Sequence, residues 1–516
     1  MRARAVLGAL AVVGAVGSGY WVVEQRGWRW EAAVSVGRAP RVRPDYGGVV
    51  LPPNIAPLSF TVVEAGDRHH VRLQGAGGSG VDVQGRGMGV RMPVRAWQAL
   101  LRESRGAEIQ MEVYARGPGG RWERYEPVRM RVAREETDPY IVYRLINPMY
   151  NFYAHMSICQ RNVQSYEETV IWDNSAFKGC MNCHSFLANR PEAMIIQMRS
   201  GEGPCGAGML LLEHGRLHKV DTRTRYSIGP AGFTSWHPSG RALAFSMNKV
   251  RQFFHTARAE ARDGIDMVSD MAVYLLDSHS VTSTPAISRP DRLETWPAWS
   301  ADGRYLYFCS APMLWSDTGK VPPERYAEVR YDLMRISYDL DSGRWGALET
   351  VLSAEETGLS ITQPRPSPDG RFLVFCMSDY SVFPTFQPSS DLYLMDLGTG
   401  RYERMACNSE RAESWHSWSS NGRWLVFSTK RLDGLFLKPY FTYVDESGTA
   451  HKPFALPQRD PAFYDRCFKL FQMPELVRGP VTVGGEQILD ALASGSWTKA
   501  DLAVTGATPA RSSGGP

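Results

Sequence analysis

Cys180 and Cys183, separated by two residues and followed at once by His184, form the cluster in this chain whose residue types and spacing best specify a chemistry. Two thiols so spaced can each form a thioether with a vinyl group of a haem, and the adjacent imidazole can take the iron as its proximal ligand. The motif predicts one covalently attached haem c held by Cys180, Cys183 and His184. One helical turn would place both thiols on the same side. A redox pair or half of a zinc site are the competing readings. The other cysteines (Cys159, Cys205, Cys309, Cys376, Cys407 and Cys467) supply no second CxxC for zinc, and residues 166–179 lack the βαβ pattern of a thioredoxin-like site. No specific disulfide follows from these six, since a buried thiol is as good a reading as a bridge.

The sixth position on the iron calls for another Met or His. Met198 is the first candidate, with Met156, Met194, His155, His237 and His255 as alternatives. Each has an ordinary structural use: methionine as core filler, His237 as a loop residue between Trp236 and Pro238, and His255 as a satisfied side chain. Asp266 and Asp270 are read as turn caps before cation ligands. Haem needs an apolar enclosure, for which Tyr150, Phe152, Tyr153, Phe177 and Phe186 are the aromatic residues at hand.

Something must position this motif, and a repeat supplies it. One phrase recurs with turn glycines at Gly240, Gly303, Gly370 and Gly422, as in Pro366-Ser-Pro-Asp-Gly370-Arg-Phe-Leu-Val-Phe-Cys376 and Trp418-Ser-Ser-Asn-Gly422-Arg-Trp-Leu-Val-Phe-Ser428. Asp-Gly or Asn-Gly supplies the turn, and the alternating residues after Arg supply a strand. Second strands follow at 270–277, 332–339 and 391–396. Spacings of about 50 to 70 residues fit propeller blades. Fainter strand pairs at Met194 to Asp221 and at Tyr440 to Leu456 bring the expected total to about six blades.

The rest of the chain divides by composition. Arg2 and Arg4 precede an uncharged run from Ala5 to Val23, about 19 residues and enough to span a bilayer as a helix. Residues 1–24 are therefore read as a signal or anchor, preferably an uncleaved anchor, with the bulk of the chain on the exported, periplasmic side. Residues 25–137 read as a small β-sandwich with a helix-like insertion from Pro93 to Glu103. Residues 138–192 read as the haem-binding segment, 193–470 as the propeller, and 471–516 as a partly disordered extension. The fold class is mainly β. Net charge is +4 on 58 basic and 54 acidic residues without a basic block, which argues against nucleic acid as a partner.

The blade phrase resembles that of the TolB-like propeller family. More closely, the chain from about Pro44 to Val483 is similar to bacterial TolB-like propeller proteins with a single haem motif. The resemblance is carried by Pro44-Asp-Tyr46, Pro52-Pro-Asn-Ile-Ala-Pro57, Tyr140 to Ile146, Cys183-His-Ser-Phe186, Trp236-His-Pro-Ser-Gly240, Gln252-Phe-Phe-His255, Lys452-Pro-Phe-Ala-Leu-Pro457 and Met473-Pro-Glu475. It implies the fold and the cofactor, not a pathway. Gln197 and Gln387 stand where that pattern leads one to expect His, so any ligand role for His at Gln197 would be lost or taken over here.

Three functional classes follow. The first is electron transfer by a membrane-anchored c-type cytochrome docking to a redox partner protein or larger membrane complex. The second is an assembly scaffold with a structural haem. The third is a haem oxidoreductase or peroxidase, which needs an open iron site. The first is preferred, and turnover is not implied by cofactor plus propeller. No Gly-x-Ser-x-Gly, phosphate loop or HExxH competes.

Overall fold

A computed structural model describes residues 20–22, 30–148, 155–175, 180–199, 207–224, 229–258, 260–494 and 497–503. These fall into two compact units. The first comprises residues up to Thr137 together with 163–166 and 452–467, and the second comprises 138–162, 167–451 and 468 onward.

The first unit contains an eight-stranded sheet and a three-stranded sheet. The helix Val94–Glu103 buries Ala96, Trp97, Leu100 and Leu101 on one face, and packs on the strands Arg68–Gly75 and Gly80–Arg86. Trp97 Nε1 donates to the Ile55 carbonyl at 3.0 Å, satisfying the buried indole. Tyr20–Val22, the described end of the expected anchor, runs parallel to Gly80–Asp82 as a short strand. The rest of that apolar run lies outside the described residues. Among the described residues no helix is long and apolar enough to cross a membrane.

The second unit is a six-bladed propeller. Four blades carry the repeat, with innermost strands Thr234–Trp236, Arg292–Trp299, Ser360–Pro366 and Glu413–Trp418. The motif residues make the hairpins. Ser367 Oγ accepts from the Phe372 amide at 2.9 Å and donates to Asp369, whose carboxylate accepts from the Arg371 amide at 3.1 Å. Ser300 and Ser419 repeat the pattern with Asp302 and Asn421. The turn glycines then sit at φ between 66° and 77°, which other residues adopt only with strain.

Gly303 is the most constrained of them, because a Cβ there would collide with the His237 ring of the neighbouring blade. Gly303→Ala is expected to cost roughly 3 kcal/mol in urea unfolding, from backbone strain plus overlap, while Gly400→Ala, at the same kind of φ but with open space around it, costs about 1 kcal/mol. Equal costs would show that the overlap is relieved freely.

Of the remaining two blades, one draws three of its four strands from the segment read as a separate haem-binding region, and the other takes only its innermost strand from there, its next three being the Met194 to Asp221 stretch expected as a blade. Tyr140–Ile146, Met156–Asn162 and Glu168–Asp173 form one sheet, whose innermost strand is Leu470–Val477 from near the other end of the chain. Cys180–Phe186 is the innermost strand of the next, followed by Ala193–Arg199, Gly208–Glu213 and Arg216–Asp221. The six innermost strands touch in a closed circle. Residues 138–192 are thus blade material rather than a segment beside the propeller, and the ring runs past 470. The strand at Tyr440 belongs to the fourth repeat blade, that of Glu413–Trp418, as Lys438–Tyr443 and adds no further one.

The C-terminal extension is more ordered than its composition suggests. Gly485–Ser494 is a helix, and the short strands Thr498–Lys499 and Asp501–Leu502 add in parallel to the outer edges of two blades, at Val220–Asp221 and Ser280–Val281. Edge pairing satisfies backbone groups that would otherwise be open.

Candidate functional site

Cys180, Cys183 and His184 lie on a strand, not on the helical turn expected. In a regular strand residues i and i+3 face opposite ways. Here the pairing with Ala193–Arg199 slips: Met181 opposes Met198, and His184 opposes Ile196, so one extra residue is accommodated between them. That bulge returns Cys180 and Cys183 to the same side, and both line one cavity.

The same irregularity recurs around the ring. Pairing slips at Trp296-Pro297, Gln363-Pro364, Trp415-His416 and Met473-Pro474, and the first residue of each pair takes a positive φ of 52° to 57°. Such residues are strained for non-glycine side chains, and strain of this kind gathers at sites where geometry is demanded. Together with Cys183-His184 and Phe233-Thr234, the bulges enclose a chamber of about 30 Å³ at the middle of the ring. On one side the chamber adjoins a cavity of about 420 Å³, and they share Cys183, Phe233 and Trp415 as walls. On the other it adjoins a cavity of about 230 Å³, with Arg365 and Glu475 shared.

The wide cavity holds both motif thiols. Its apolar walls include Phe233, Phe254, Phe383, Phe386 and Trp415, contributed by other blades, and Met156, contributed by the blade next to the motif. Phe233 stacks on Trp296 with centroids 3.6 Å apart, and Trp296 meets Trp415 edge-on at 5.4 Å, so the aromatic partition toward the chamber is tightly packed. Arg144, Arg251 and Arg262 supply positive charge, and none of the described lining residues is acidic.

His184 lines the central chamber and is 1% exposed. Neither ring nitrogen makes a hydrogen bond of good geometry, though the Val142 and Met473 carbonyls face the ring. Burial, reinforced by the Arg144 charge, lowers its pKa to about 3, so the imidazole stays neutral, the form that ligates metals. A buried imidazole with neither nitrogen well bonded is costly unless something else engages one of them. His416, across the same chamber, shows the contrast: burial also lowers it to about 3, but Nε2 faces the Val374 carbonyl at 3.1 Å.

The other sequence candidates are scattered. Met198 is fully buried opposite Met181 and does not line the wide cavity, whereas Met156 does. Met194 pairs with Phe186 in the core. His155 is exposed at the head of its strand. His237 is held between Ser239 Oγ at 2.7 Å and the Gly303 carbonyl at 3.0 Å, and His255 lies 3.4 Å from Asp263. Asp266 accepts from Asn248 at 2.7 Å. Among the described residues no group of three or more His, Cys, Asp or Glu side chains is placed to hold a metal ion by itself. Gln387 donates to Asp263 at 3.3 Å, while buried Gln197 has no hydrogen-bond partner.

Phe186 lines the opposite cavity, and Tyr150, Phe152, Tyr153 and Phe177 lie outside the described residues. The walls sequence reasoning missed carry a signal nonetheless: Trp296 and Trp415 each stand three residues before the Trp that opens a repeat phrase, at Trp299 and Trp418.

The residue types present fit a covalently held haem in chemistry: two thiols on one cavity, apolar walls and cations for anionic substituents, with a neutral imidazole next to the second thiol that opens on the adjoining central chamber.

No family model matches the chain, and no curated protein matches it. Among solved structures it aligns with a prolyl endopeptidase at 14% identity over 62% of this chain and 42% of that one, TM-score 0.35. It aligns with the Dos1 propeller at 13% identity over 46% and 64%, TM-score 0.28. It also aligns with a chain of a nidogen–laminin complex at 8% identity over 66% and 100%, TM-score 0.37. The match spans less than two thirds of each of the first two proteins. The propeller assignment rests on the closed circle of six sheets, not on these similarities.

Proposed function

We propose that this chain is an exported c-type cytochrome, anchored through residues 1–24, which passes single electrons to a redox partner protein or a larger membrane complex. The observation that carries this reading is the bulge in Cys180–Phe186, which brings Cys180 and Cys183 to one cavity, with the buried, neutral His184 next to the second thiol. Cys180 and Cys183 are the attachment points and His184 the proximal ligand. A haem bound there supplies a reversible one-electron couple at its iron. The aromatic walls would pack against its apolar body, and the arginines would receive negative charge. Met156 would be the thioether available to the cofactor ahead of Met198, because it lines the cavity of the thiols and Met198 does not. Electron transfer is favoured over peroxidase chemistry because no His, Asp or Glu among the described lining residues is offered as a proton donor over that cavity.

The test is the visible spectrum of the full chain made in a host that attaches haem c, taken oxidised and reduced, with and without carbon monoxide. We expect a low-spin spectrum unchanged by carbon monoxide. Met156→Ala is expected to open the iron to carbon monoxide, while Met198→Ala leaves the spectrum as it was. A chain exported and folded without haem overturns the reading. Immediate carbon monoxide binding by the unsubstituted protein overturns its electron-transfer half.

A further inference from the structure

We propose that the wide cavity contains a carboxylate-binding site built on Arg144, and that its occupants are the carboxylate arms of the cofactor assigned above, on which reading this inference rests. Arg144 is 7% exposed and sits on the strand Tyr140–Ile146, where its register partner is Gln472. Its guanidinium donates from Nη1 to the Met181 carbonyl at 3.1 Å and from Nη2 to the Gln472 side-chain oxygen. Both acceptors are neutral. Nε is shielded and has no partner, and no carboxylate pairs with Arg144 among the described residues.

A guanidinium keeps its charge at all physiological pH values. Buried without a counter-charge, it costs several kcal/mol, and proteins place such groups where an anion will meet them. Two further cations face the same space: Arg262, held 5.5 Å from the Phe386 ring centroid, and exposed Arg251. The cavity therefore asks for a ligand with a broad apolar body and anionic ends. Arg144 also binds the carbonyl of Met181, inside the haem motif, so the charge is fixed relative to the thiols rather than carried on a free arm. A planar guanidinium presents paired donors that suit a carboxylate.

The experiment separates charge from shape without using the iron. In the full chain carrying Cys180→Ala and Cys183→Ala, protoporphyrin IX and its uncharged dimethyl ester are titrated by fluorescence, with and without Arg144→Met and Arg144→Lys. We expect the free acid to bind on the order of tenfold or more tighter than the ester. Arg144→Met should remove that preference by weakening the acid alone, and Arg144→Lys should restore part of it. Equal binding of acid and ester, equal weakening of both by Arg144→Met, or no binding of either porphyrin overturns the proposal. Covalent haem on the unsubstituted protein separates the two failures: if it is present while acid and ester bind alike, only the Arg144 assignment falls, and if it is absent the cytochrome reading falls first.

Discussion

Alanine at both Cys180 and Cys183 is expected to give a chain that exports and folds but retains no haem after denaturation, an all-or-none change in a haem-stained denaturing gel. The fold should survive because the sulfurs contribute little to it. Cys183 is 3% exposed, in a core shared with Met181, Phe186, Ile196 and Met198, and trimming one buried thiol to a methyl costs about 1 kcal/mol. The hairpin pairing of Cys180–Phe186 with Ala193–Arg199 uses backbone groups that both substitutions leave alone. Single substitutions should each keep one thioether and still stain, with a red-shifted reduced band where an unreacted vinyl remains. His184→Ala should also stain, since the covalent bonds do not depend on the imidazole, but should lose the low-spin spectrum. Haem surviving denaturation in the double variant would sink the attachment assignment.

Glu475→Gln is expected to stabilise the chain at alkaline pH and not at acid pH. Glu475 Oε2 accepts from the Phe186 amide at 3.2 Å, but Oε1 is shielded without a partner. Burial pushes the carboxyl up to about 7, against the pull of Arg365. The native chain therefore holds a proton that the unfolded chain has already released between about pH 4.5 and 7. A group that binds more protons folded than unfolded lowers stability as pH rises, so the loss is absent at pH 4.5, grows through neutrality and is complete above about pH 7, at on the order of 3 kcal/mol. Glutamine has no such proton to lose. Urea midpoints of the Cys180→Ala/Cys183→Ala chain with and without Glu475→Gln, taken at pH 4.5 and pH 8, isolate the effect from the cofactor. A benefit of equal size at both values would mean that packing, not ionisation, is the cause.

What could be read from the residues alone divides along local and distant information. The four repeat blades were legible because Ser367, Asp369 and Gly370, and their counterparts, build each hairpin from side chains within six positions of one another. The helix Val94–Glu103 was legible for the same reason, through the spacing of Trp97, Leu100 and Leu101. The blade of Tyr140–Ile146, blade one in chain order, was not, since that strand finds its innermost neighbour in Leu470–Val477, and nothing near either segment announces the other. Without that partner, 138–192 looks like a linker with a cofactor motif, and 471 onward looks like a tail.

The site shows the same division. Cys180, Cys183 and His184 identify a chemistry by type and spacing, but two thiols three positions apart suit a helical turn and a bulged strand equally. Only pairing with Met198 and Ile196 decides between them. Phe186 was offered as a wall only for its nearness in sequence, and the strand carries it to the opposite cavity. The walls that replace it, Phe233, Phe254, Phe383, Phe386 and Trp415, come from blades whose order around the ring the sequence does not state.

The closing of blade one by Leu470–Val477 also sets an order of events. A chain emerging from its amino end can complete the other blades while the first still lacks its inner strand, and the strand bordering that gap on the other side is Cys180–Phe186. Until residues 470–477 arrive, the thiols stand beside an open edge and can be reached. Once Leu470–Val477 docks, they line the wide cavity within the ring. Modification of the thiols and completion of the ring are therefore events in competition, and slowing the arrival of residues 470–477 should lengthen the interval in which the first can take place.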